Sequence, residues 1–271
     1  MIKRKILFLL GVILLILGYI YYQVNYTKVE KTNVTSNKFA TDDKMKILQI
    51  SDVHNKRIKK DSKLMSTIKN LDADIIVITG DLIDRETKDF ENVYEFVYNL
   101  KNINPNIYYI PGNHEWTNRN TEKFMTGLKK TNINILINDN KKITIDNRTI
   151  NICGIDDPYL NRDNLKMALK GINKNYFTLL LSHSPDIVFG KKDIPVDLIL
   201  SGHTHGGQVR FPFIGPIVAP GQGFFPKYDK GLFEVGSSNI YIDSGLGNSV
   251  LPIRFLNRSQ VSLIEIYGTR E

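Results

Sequence analysis

The chain has one cysteine, Cys153, among 271 residues, so it cannot form an intramolecular disulfide. It also lacks a Cys-x-x-Cys motif, which is typical of structural zinc sites and iron–sulfur clusters. Any metal site must therefore use histidine, aspartate, glutamate, asparagine or backbone ligands. There is no internal repeat and no low-complexity tract.

The composition excludes two further classes of protein. With 42% hydrophobic and 24% charged residues, the chain is neither intrinsically disordered nor a polytopic membrane protein. We expect one large domain, with two domains as the alternative. The net charge of +8 is spread along the sequence. No ordered stripe of basic and aromatic residues of the kind that tracks a nucleic-acid strand is found, so a nuclease is a minor alternative.

The first 22 residues predict a membrane anchor. A basic flank at residues 1–5 precedes seventeen uncharged residues, 6–22, whose last four include Tyr19, Tyr21 and Tyr22. This predicts a single transmembrane helix with its N-terminus in the cytoplasm and the remaining chain outside the cell membrane. A cleaved signal peptide is the alternative, but it should have a shorter apolar core and small residues before the cleavage site. Residues 23–43 are predicted to be a polar tether, and 44–271 the folded domain.

The folded domain alternates β-branched runs with amphipathic segments. Strands are predicted at 46–51, 75–79, 106–110, 133–137, 177–181, 197–200, 239–243 and 261–267, with a hairpin turning at Asp146-Asn147. Helices are predicted at 62–71, 89–100 and 121–130. Crossovers in the first half and hairpins in the second predict an α/β (α+β) fold, in which two mixed sheets pack face to face between helices as a four-layer α/β/β/α sandwich.

All five histidines directly follow apolar, strand-like runs. They are His54, His114, His183, His203 and His205. One histidine at a strand end is more often a satisfied core or surface residue than a ligand. Five in equivalent positions favour a shared site, because loops at the carboxyl ends of strands are where α/β proteins place ligands.

Aspartates and an asparagine follow strands in the same way. The runs are Ser51-Asp52-Val-His54, Gly80-Asp81, Gly112-Asn113-His114-Glu115, Ser182-His183 and Gly202-His203-Thr-His205-Gly206-Gly207. Imidazole and oxygen donors without thiolate suit a pair of divalent transition metals, which a carboxylate can bridge. Such a pair can share a hydroxide that attacks phosphorus in line and can stabilise the leaving oxygen.

These ordered motifs resemble the calcineurin-like metallophosphoesterases over about residues 46–267. The extended run from Gly202 to Arg210, with Gly245-Leu-Gly247-Asn-Ser249 and Pro252-Ile-Arg254-Phe255 downstream, is similar to the membrane-associated bacterial branch of that family. That branch includes phosphodiesterases and, in some lineages, enzymes that hydrolyse the pyrophosphate of a UDP-linked acylated sugar.

The resemblance implies a role for each matched residue. Asp52, His54 and His205 should bind one metal, Asp81 should bridge, and Asn113, His183 and His203 should bind the second. Mn²⁺, Fe²⁺/Fe³⁺ and Zn²⁺ all suit this set. His114 should stabilise the phosphoryl oxygens or protonate the leaving group. The resemblance thus implies a membrane-anchored hydrolase of a phosphodiester or phosphoanhydride, lipid- or nucleotide-linked, with a metal-bridging hydroxide as nucleophile. A phosphomonoesterase, a UDP-acylated-sugar pyrophosphatase and a non-catalytic metal-binding platform are the alternatives, and the oligomeric state stays open.

Other residues have two interpretations each. Asp84 either orients a metal ligand through a hydrogen bond or is a helix cap or turn former. Glu115 either orients a ligand in the same way or is solvated. Arg210 and Arg254 are candidates for binding a substrate phosphate, although surface arginines are common. The apolar segments 211–213 and 223–226 are either packed loops or an apolar rim that holds an acyl chain or rests on the bilayer.

Overall fold

The computed structural model describes residues 1–191, 193–248 and 251–269. The helices are α1 Ile2–Asn25, α2 Lys63–Leu71, α3 Glu91–Ile103, α4 Asn113–Thr117, α5 Thr121–Lys130 and α6 Leu165–Ala168. The strands are β1 Lys28–Ser36, β2 Lys44–Ile50, β3 Ile75–Thr79, β4 Ile107–Ile110, β5 Asn134–Ile135, β6 Asp139–Ile145, β7 Arg148–Gly154, β8 Phe177–Leu181, β9 Leu198–Ser201, β10 Arg210–Phe211, β11 Gly215–Pro216, β12 Val218–Ala219, β13 Gly223–Phe224, β14 Gly231–Val235, β15 Ser238–Ile242 and β16 Gln260–Gly268.

Two six-stranded mixed sheets form the centre of the fold. The first has the order β1-β16-β2-β3-β4-β5, in which only the β16–β2 pair is antiparallel. The second has the order β14-β15-β9-β8-β7-β6, with antiparallel hairpins at both edges and parallel pairs between them. Because β2, β3 and β4 run parallel, as do β8 and β9, their carboxyl ends lie at one edge of each sheet.

Strand periodicity places the core on both faces of each sheet. Ile47 and Val77 face the second sheet, where they share a buried cluster with Leu179 and Leu181. Their neighbours in sequence point the other way, and Leu48 packs in the cluster that includes residues of α2, α3 and α5. The outer face of the second sheet is covered by α6 and short 3₁₀ turns. The predicted four-layer sandwich is confirmed, with a thinner fourth layer than the first.

Local sequence signals account for several element boundaries. Ser62 caps α2 by accepting a hydrogen bond from the backbone N–H of Met65 at 3.3 Å. The β6–β7 hairpin turns at Asp146 and Asn147, both with positive φ, as a two-residue hairpin turn requires. The predictions of α2, α5 and this hairpin are confirmed.

The prediction of a tether over residues 23–43 is wrong for Lys28–Ser36. Residues Lys28–Ser36 form β1, a parallel edge strand that pairs with β16 from Lys28–Gln260 to Ser36–Gly268. The segment is polar because an edge strand is half exposed, so polarity alone did not distinguish it from a linker. The folded domain therefore includes residues N-terminal to position 44.

Helix α1 ends against the folded domain. Among the described residues it is the one helix that is long and apolar enough to cross a membrane. Arg258 donates hydrogen bonds to the Tyr22 hydroxyl at 2.8 Å and to the Thr27 carbonyl at 3.1 Å. Lys56 donates to the Val24 carbonyl at 3.0 Å. These bonds hold the end of α1 on the domain surface.

Candidate metal centre

The loops that follow five parallel strands bring the predicted ligands together. Asp52 and His54 follow β2, Asp81 follows β3, Asn113 and His114 open α4 after β4, His183 follows β8, and His203 and His205 follow β9. All eight side chains are buried. Hydrogen bonds join the two sheets here, since the backbone N–H of His203 donates to the Asp52 carboxylate at 3.1 Å.

One group consists of Asp52, His54 and His205. The two Nε2 atoms lie 3.1 Å apart. Asp52 Oδ1 lies 3.9 Å from Nε2 of His54 and 3.5 Å from Nε2 of His205. One atom of each residue thus faces a common point, as the ligands of a single ion must.

A second group consists of Asp81, Asn113, His183 and His203. His183 Nε2 lies 3.2 Å from each of three atoms: Asp81 Oδ2, Asn113 Oδ1 and His203 Nδ1. This is a second convergence of imidazole nitrogens with oxygens.

Asp81 stands between the two groups. Its Oδ2 atom lies 3.2 Å from Nε2 of His183 in the second group and 3.7 Å from Nε2 of His54 in the first. Its Oδ1 atom accepts the backbone N–H of His114 at 2.9 Å. The carboxylate is thereby held with one oxygen directed at both groups.

Burial determines the protonation of most of these imidazoles. It lowers the pKa of His54 to about 4 and that of His203 to about 3, and it lowers the pKa of His205 well below its ordinary value. These rings are therefore neutral near pH 7 and have lone pairs to offer. For His183, burial opposes the charge, yet the adjacent Asp81 carboxylate raises its pKa, while His183 lowers the pKa of Asp81. Burial raises the pKa of Asp52 to about 7.

The donor set fits divalent cations. Nδ1 of His183 donates to the Thr79 carbonyl at 2.8 Å, so in the neutral ring Nε2 carries the lone pair that faces Asp81 and Asn113. Such a carbonyl–imidazole contact is the usual support of a metal-binding histidine. In the first group, two neutral imidazoles and a carboxylate oxygen converge, and a divalent ion between them would bind all three.

Backbone strain is concentrated in the same loops. Asp52, His54, Asp81, His203 and His205 all have φ between 48° and 69°. This left-handed region is uncommon for residues other than glycine, and strained residues cluster at functional sites. Gly112 has a related role, because a Cβ atom at this position would lie 2.3 Å from Asp81 Oδ1.

Glu115 organises the loop that bears Asp81. Its fully buried carboxylate accepts hydrogen bonds from four backbone N–H groups, at 3.0 Å from Asp81, 2.6 Å from Leu82, 3.3 Å from Ile83 and 2.7 Å from Gly112. The interpretation of Glu115 as a solvated side chain is therefore wrong. Glu115 instead positions the backbone of Asp81, the candidate bridging residue.

His114 presents a nitrogen to the same centre. Its Nδ1 atom accepts the backbone N–H of Arg85 at 3.2 Å, so in the neutral ring the proton resides on Nε2. Nε2 lies 4.0 Å from Asp81 Oδ2. Burial lowers the pKa of His114, although its side chain keeps some contact with solvent. Nε2 is thus a proton-bearing atom at the mouth of the centre.

Comparison with known proteins identifies the family. Residues 45–207 match the family model described as calcineurin-like phosphoesterase. The chain belongs to this family. It is 31% identical to metallophosphoesterase YkuE of Bacillus subtilis over 233 residues, which cover 84% of this chain and 80% of YkuE. Metallophosphoesterase YkoQ of the same organism is 29% identical, with 94% of this chain and 97% of YkoQ covered.

A solved structure supports the calcineurin-like fold. NAD nucleotidase NadN of Haemophilus influenzae aligns over 77% of this chain with a TM-score of 0.51 and 16% sequence identity. The chain spans about half of that protein, 46% of its length. Family membership, fold and the Asp/His clusters together make this protein a metal-dependent phosphoesterase that binds divalent ions.

The two candidate arginines are not equivalent. Arg254 is fully buried, and its guanidinium donates to the carbonyls of Ser244, Gly245, Gly247 and Asn257 and to Oδ1 of Asn248. Because these bonds use all three of its nitrogens, the prediction that Arg254 binds substrate phosphate is wrong. It supports the loop whose Gly247 N–H bonds the Asp52 carbonyl at 2.7 Å.

Arg210 lies nearer the surface. It is half-buried and pairs with Asp229 at 2.5 Å, and it also donates to the Gly206 carbonyl at 3.1 Å. Its role toward substrate stays a prediction. Asp84 is a turn former, since its Oδ1 accepts the N–H of Glu86 at 2.8 Å.

Two residues beside the centre were missed from the sequence. The Tyr159 ring lies 4.8 Å from the His203 ring, and Asp157 is buried with its pKa raised to about 6 by that burial. Both follow β7, so the strand-end signal that located the histidines also applied here. Tyrosine and aspartate are common in loops, so their presence after a strand does not by itself indicate a site.

Proposed function

We propose that the protein is a membrane-anchored phosphoesterase that hydrolyses a phosphodiester or phosphoanhydride with two divalent ions. The observation that carries this proposal is the position of Asp81 Oδ2 between two convergent ligand groups, with Nε2 of His114 beside it.

The ligand assignment follows the two groups. Asp52, His54 and His205 hold one ion, Asn113, His183 and His203 hold the other, and Asp81 contributes to both. Ions at these positions, with Mn²⁺, Fe or Zn²⁺ as the candidates, supply Lewis acidity, an activated water and charge stabilisation for displacement at phosphorus. Asp52 is kept in place by the Ser51 hydroxyl, which donates to Oδ2 at 2.5 Å, and by the His203 N–H.

His114 acts on the substrate. The Arg85 N–H holds the ring so that Nε2–H is directed into the centre. From there it donates a hydrogen bond to a phosphoryl oxygen or a proton to the departing alkoxide. An alkoxide leaving group needs that proton most, so this role suits an alkyl phosphodiester. With an anhydride, whose leaving phosphate is much less basic, Nε2–H would mainly stabilise the phosphoryl oxygens.

The N-terminal helix provides the anchor. Residues 6–22 cross the cell membrane, the basic flank 1–5 stays in the cytoplasm, and the catalytic domain lies outside. The hydrogen bonds from Arg258 and Lys56 to the end of α1 keep the domain close to the bilayer, which excludes a long flexible tether.

The test uses the full chain in detergent, because β1 is part of the sheet and a truncation at residue 42 would remove it. The protein is stripped of metal, reloaded with Mn²⁺, Zn²⁺ or Fe²⁺, and assayed on a chromogenic phosphodiester and the matching monoester. Asp81→Asn is the test variant, and Asp146→Asn, in an exposed hairpin turn, is the matched control.

We expect metal-dependent diester cleavage that Asp81→Asn abolishes and Asp146→Asn retains. Preferential monoester cleavage would contradict the proposed substrate class. Failure of the reloaded protein to cleave either ester, or a pyrophosphate-linked nucleotide, would favour the non-catalytic platform.

A further inference from the structure

Exposed apolar side chains are concentrated in one part of the catalytic domain. Residues 208–226 and 251–256, which we call the apolar lobe, include exposed side chains at Phe211, Phe213, Ile214, Phe224, Phe225 and Leu251. Phe213 is fully exposed. A contiguous chain segment this rich in exposed phenylalanine is unusual on a soluble surface and marks an interaction site.

The lobe is an ordered surface rather than a loose loop. Strands β10 and β11 form one hairpin, and β12 and β13 form a second. The two parts of the lobe are joined by backbone bonds, from Arg210 N–H to the Phe255 carbonyl at 3.0 Å and from Phe255 N–H to the Gln208 carbonyl at 3.1 Å. The exposed side chains are therefore presented on a paired backbone.

The lobe is continuous with the apolar helix. The Phe255 ring packs edge-on against the Tyr19 ring of α1, with 5.3 Å between centroids. Tyr19 lies within the apolar run that ends at position 22. The lobe thus begins at the same level as the C-terminal end of the apolar residues of α1. If α1 spans a membrane, this is the level of the bilayer interface.

The charges near this level match an anionic bilayer surface. Residues 208–226 contain no aspartate or glutamate. Beside the end of α1 lies a cavity of about 470 Å³ with five cationic residues and no acidic residue in its lining: Lys56, Arg57, Lys59, Lys63 and Arg258. Apolar side chains flanked by cations are the pattern of surfaces that rest in a membrane interface.

The lobe also borders the metal centre. Gly207, two residues after His205, approaches the lobe so closely that a Cβ atom there would lie 2.1 Å from Cβ of Pro216. On the other side of the lobe, a Cβ atom added to Gly221 would lie 3.6 Å from the Tyr159 ring. That ring lies against the His203 ring. A surface that binds the lobe would therefore lie next to the solvent-facing side of the metal centre.

We propose that the apolar lobe inserts into the lipid bilayer beside α1, in the leaflet from which α1 emerges. The occupant of this surface is the lipid interface itself. This inference rests on the membrane anchor of the proposed function. It deepens that function because it places the rim of the metal centre at the membrane surface. An amphipathic, membrane-partitioned substrate would present its phosphoester there.

The chain permits a direct measurement of depth. Cys153 is the single cysteine and is buried, so a nitroxide attached to an introduced cysteine reports one position. Phe213→Cys and Phe224→Cys test the lobe, Tyr98→Cys on the exposed face of α3 is the aqueous control, and Leu14→Cys reports α1. The full-length protein is reconstituted in phosphatidylcholine–phosphatidylglycerol vesicles, and collision rates with oxygen and with a water-soluble nickel chelate are measured.

We expect the labels at 213 and 224 to collide with the nickel chelate several-fold less often than the label at 98, and more often with oxygen. Equal chelate accessibility at 213, 224 and 98 would overturn the proposal whatever the label at Leu14 reports. The Leu14 label decides the anchor separately, and hydrolysis of a soluble chromogenic ester by the same variants decides the catalytic function, so the three failures are distinguishable.

Discussion

Glu115 holds the backbone of Asp81 through a buried hydrogen bond of 3.0 Å between Oε2 and the Asp81 N–H. The same carboxylate binds the next two N–H groups and that of Gly112. A single acidic residue thus fixes the positive-φ loop that places Asp81 between the two ligand groups, without facing either group itself.

Glu115→Gln should destabilise the protein and reduce metal binding. The amide NH₂ would face backbone N–H donors, and the loss of charged hydrogen bonds should cost about 2 kcal/mol or more of the free energy of unfolding. Urea unfolding and metal content by mass spectrometry would measure both effects. Glu122→Gln, at an exposed position of α5, should change neither. An unchanged metal content in Glu115→Gln would contradict the orienting role.

Removal of metal should lower the melting temperature. Ligands that bind only the folded state stabilise it by RT ln(1 + [L]/Kd), or about 2.7 kcal/mol at a hundred-fold excess over Kd. Chelation should therefore lower the transition measured by calorimetry, and reloading should restore it. The Asp81→Asn variant is the control, and its melting temperature should respond much less. Equal responses would argue against Asp81 as a shared ligand.

His114→Ala should affect esters according to their leaving group. With an alkoxide leaving group, kcat/KM should fall by about 10²- to 10⁴-fold, because the proton from Nε2 is lost. With a nitrophenolate, which leaves without a proton, the fall should be much smaller. Metal content should be unchanged. A uniform fall for both substrates would indicate phosphoryl stabilisation rather than proton donation.

Arg254→Met should act on stability. The variant leaves several buried carbonyls without donors, and we expect a loss of about 3 kcal/mol or more in the free energy of unfolding. Arg119→Met, at an exposed position, is the matched control. If Arg254→Met instead raised KM while leaving the unfolding transition in place, a direct role toward substrate would have to be reconsidered.

The thiol of Cys153 should be unreactive in the native protein. Burial raises its pKa to about 12, so the thiolate is scarce at pH 8, and the side chain is inaccessible. Ellman's reagent at pH 8 should react with the unfolded chain and not with the folded one. Rapid reaction of the folded protein would mean that the outer face of the second sheet opens, and would compromise labelling at introduced cysteines.

The positions of the candidate ligands followed from local patterns. Strands such as 75–79 and 177–181 are mostly apolar and are buried at every residue because both of their faces are covered, and polar residues directly after them mark the strand ends. Parallel strands place those ends at one edge, so histidines far apart in sequence could be expected in one site. The four-layer architecture followed from the same alternation of strands and helices.

Long-range contacts decided the rest. Lys28–Ser36 has the composition of a linker, and it is a strand because β16, more than two hundred residues away, offers an unpaired edge. Arg254 and Glu115 are both charged residues near strand ends or in loop-rich segments, yet Arg254 is enclosed by carbonyls and Glu115 by N–H groups. The burial of a side chain and its hydrogen-bond partners depend on which loops contact each other in the folded protein. A local sequence pattern does not specify those contacts. The sequence therefore indicated which residues are equipped for metal chemistry. Packing determined which of them converge into the two candidate ligand groups, which ones support the loops, and where the apolar lobe lies relative to α1.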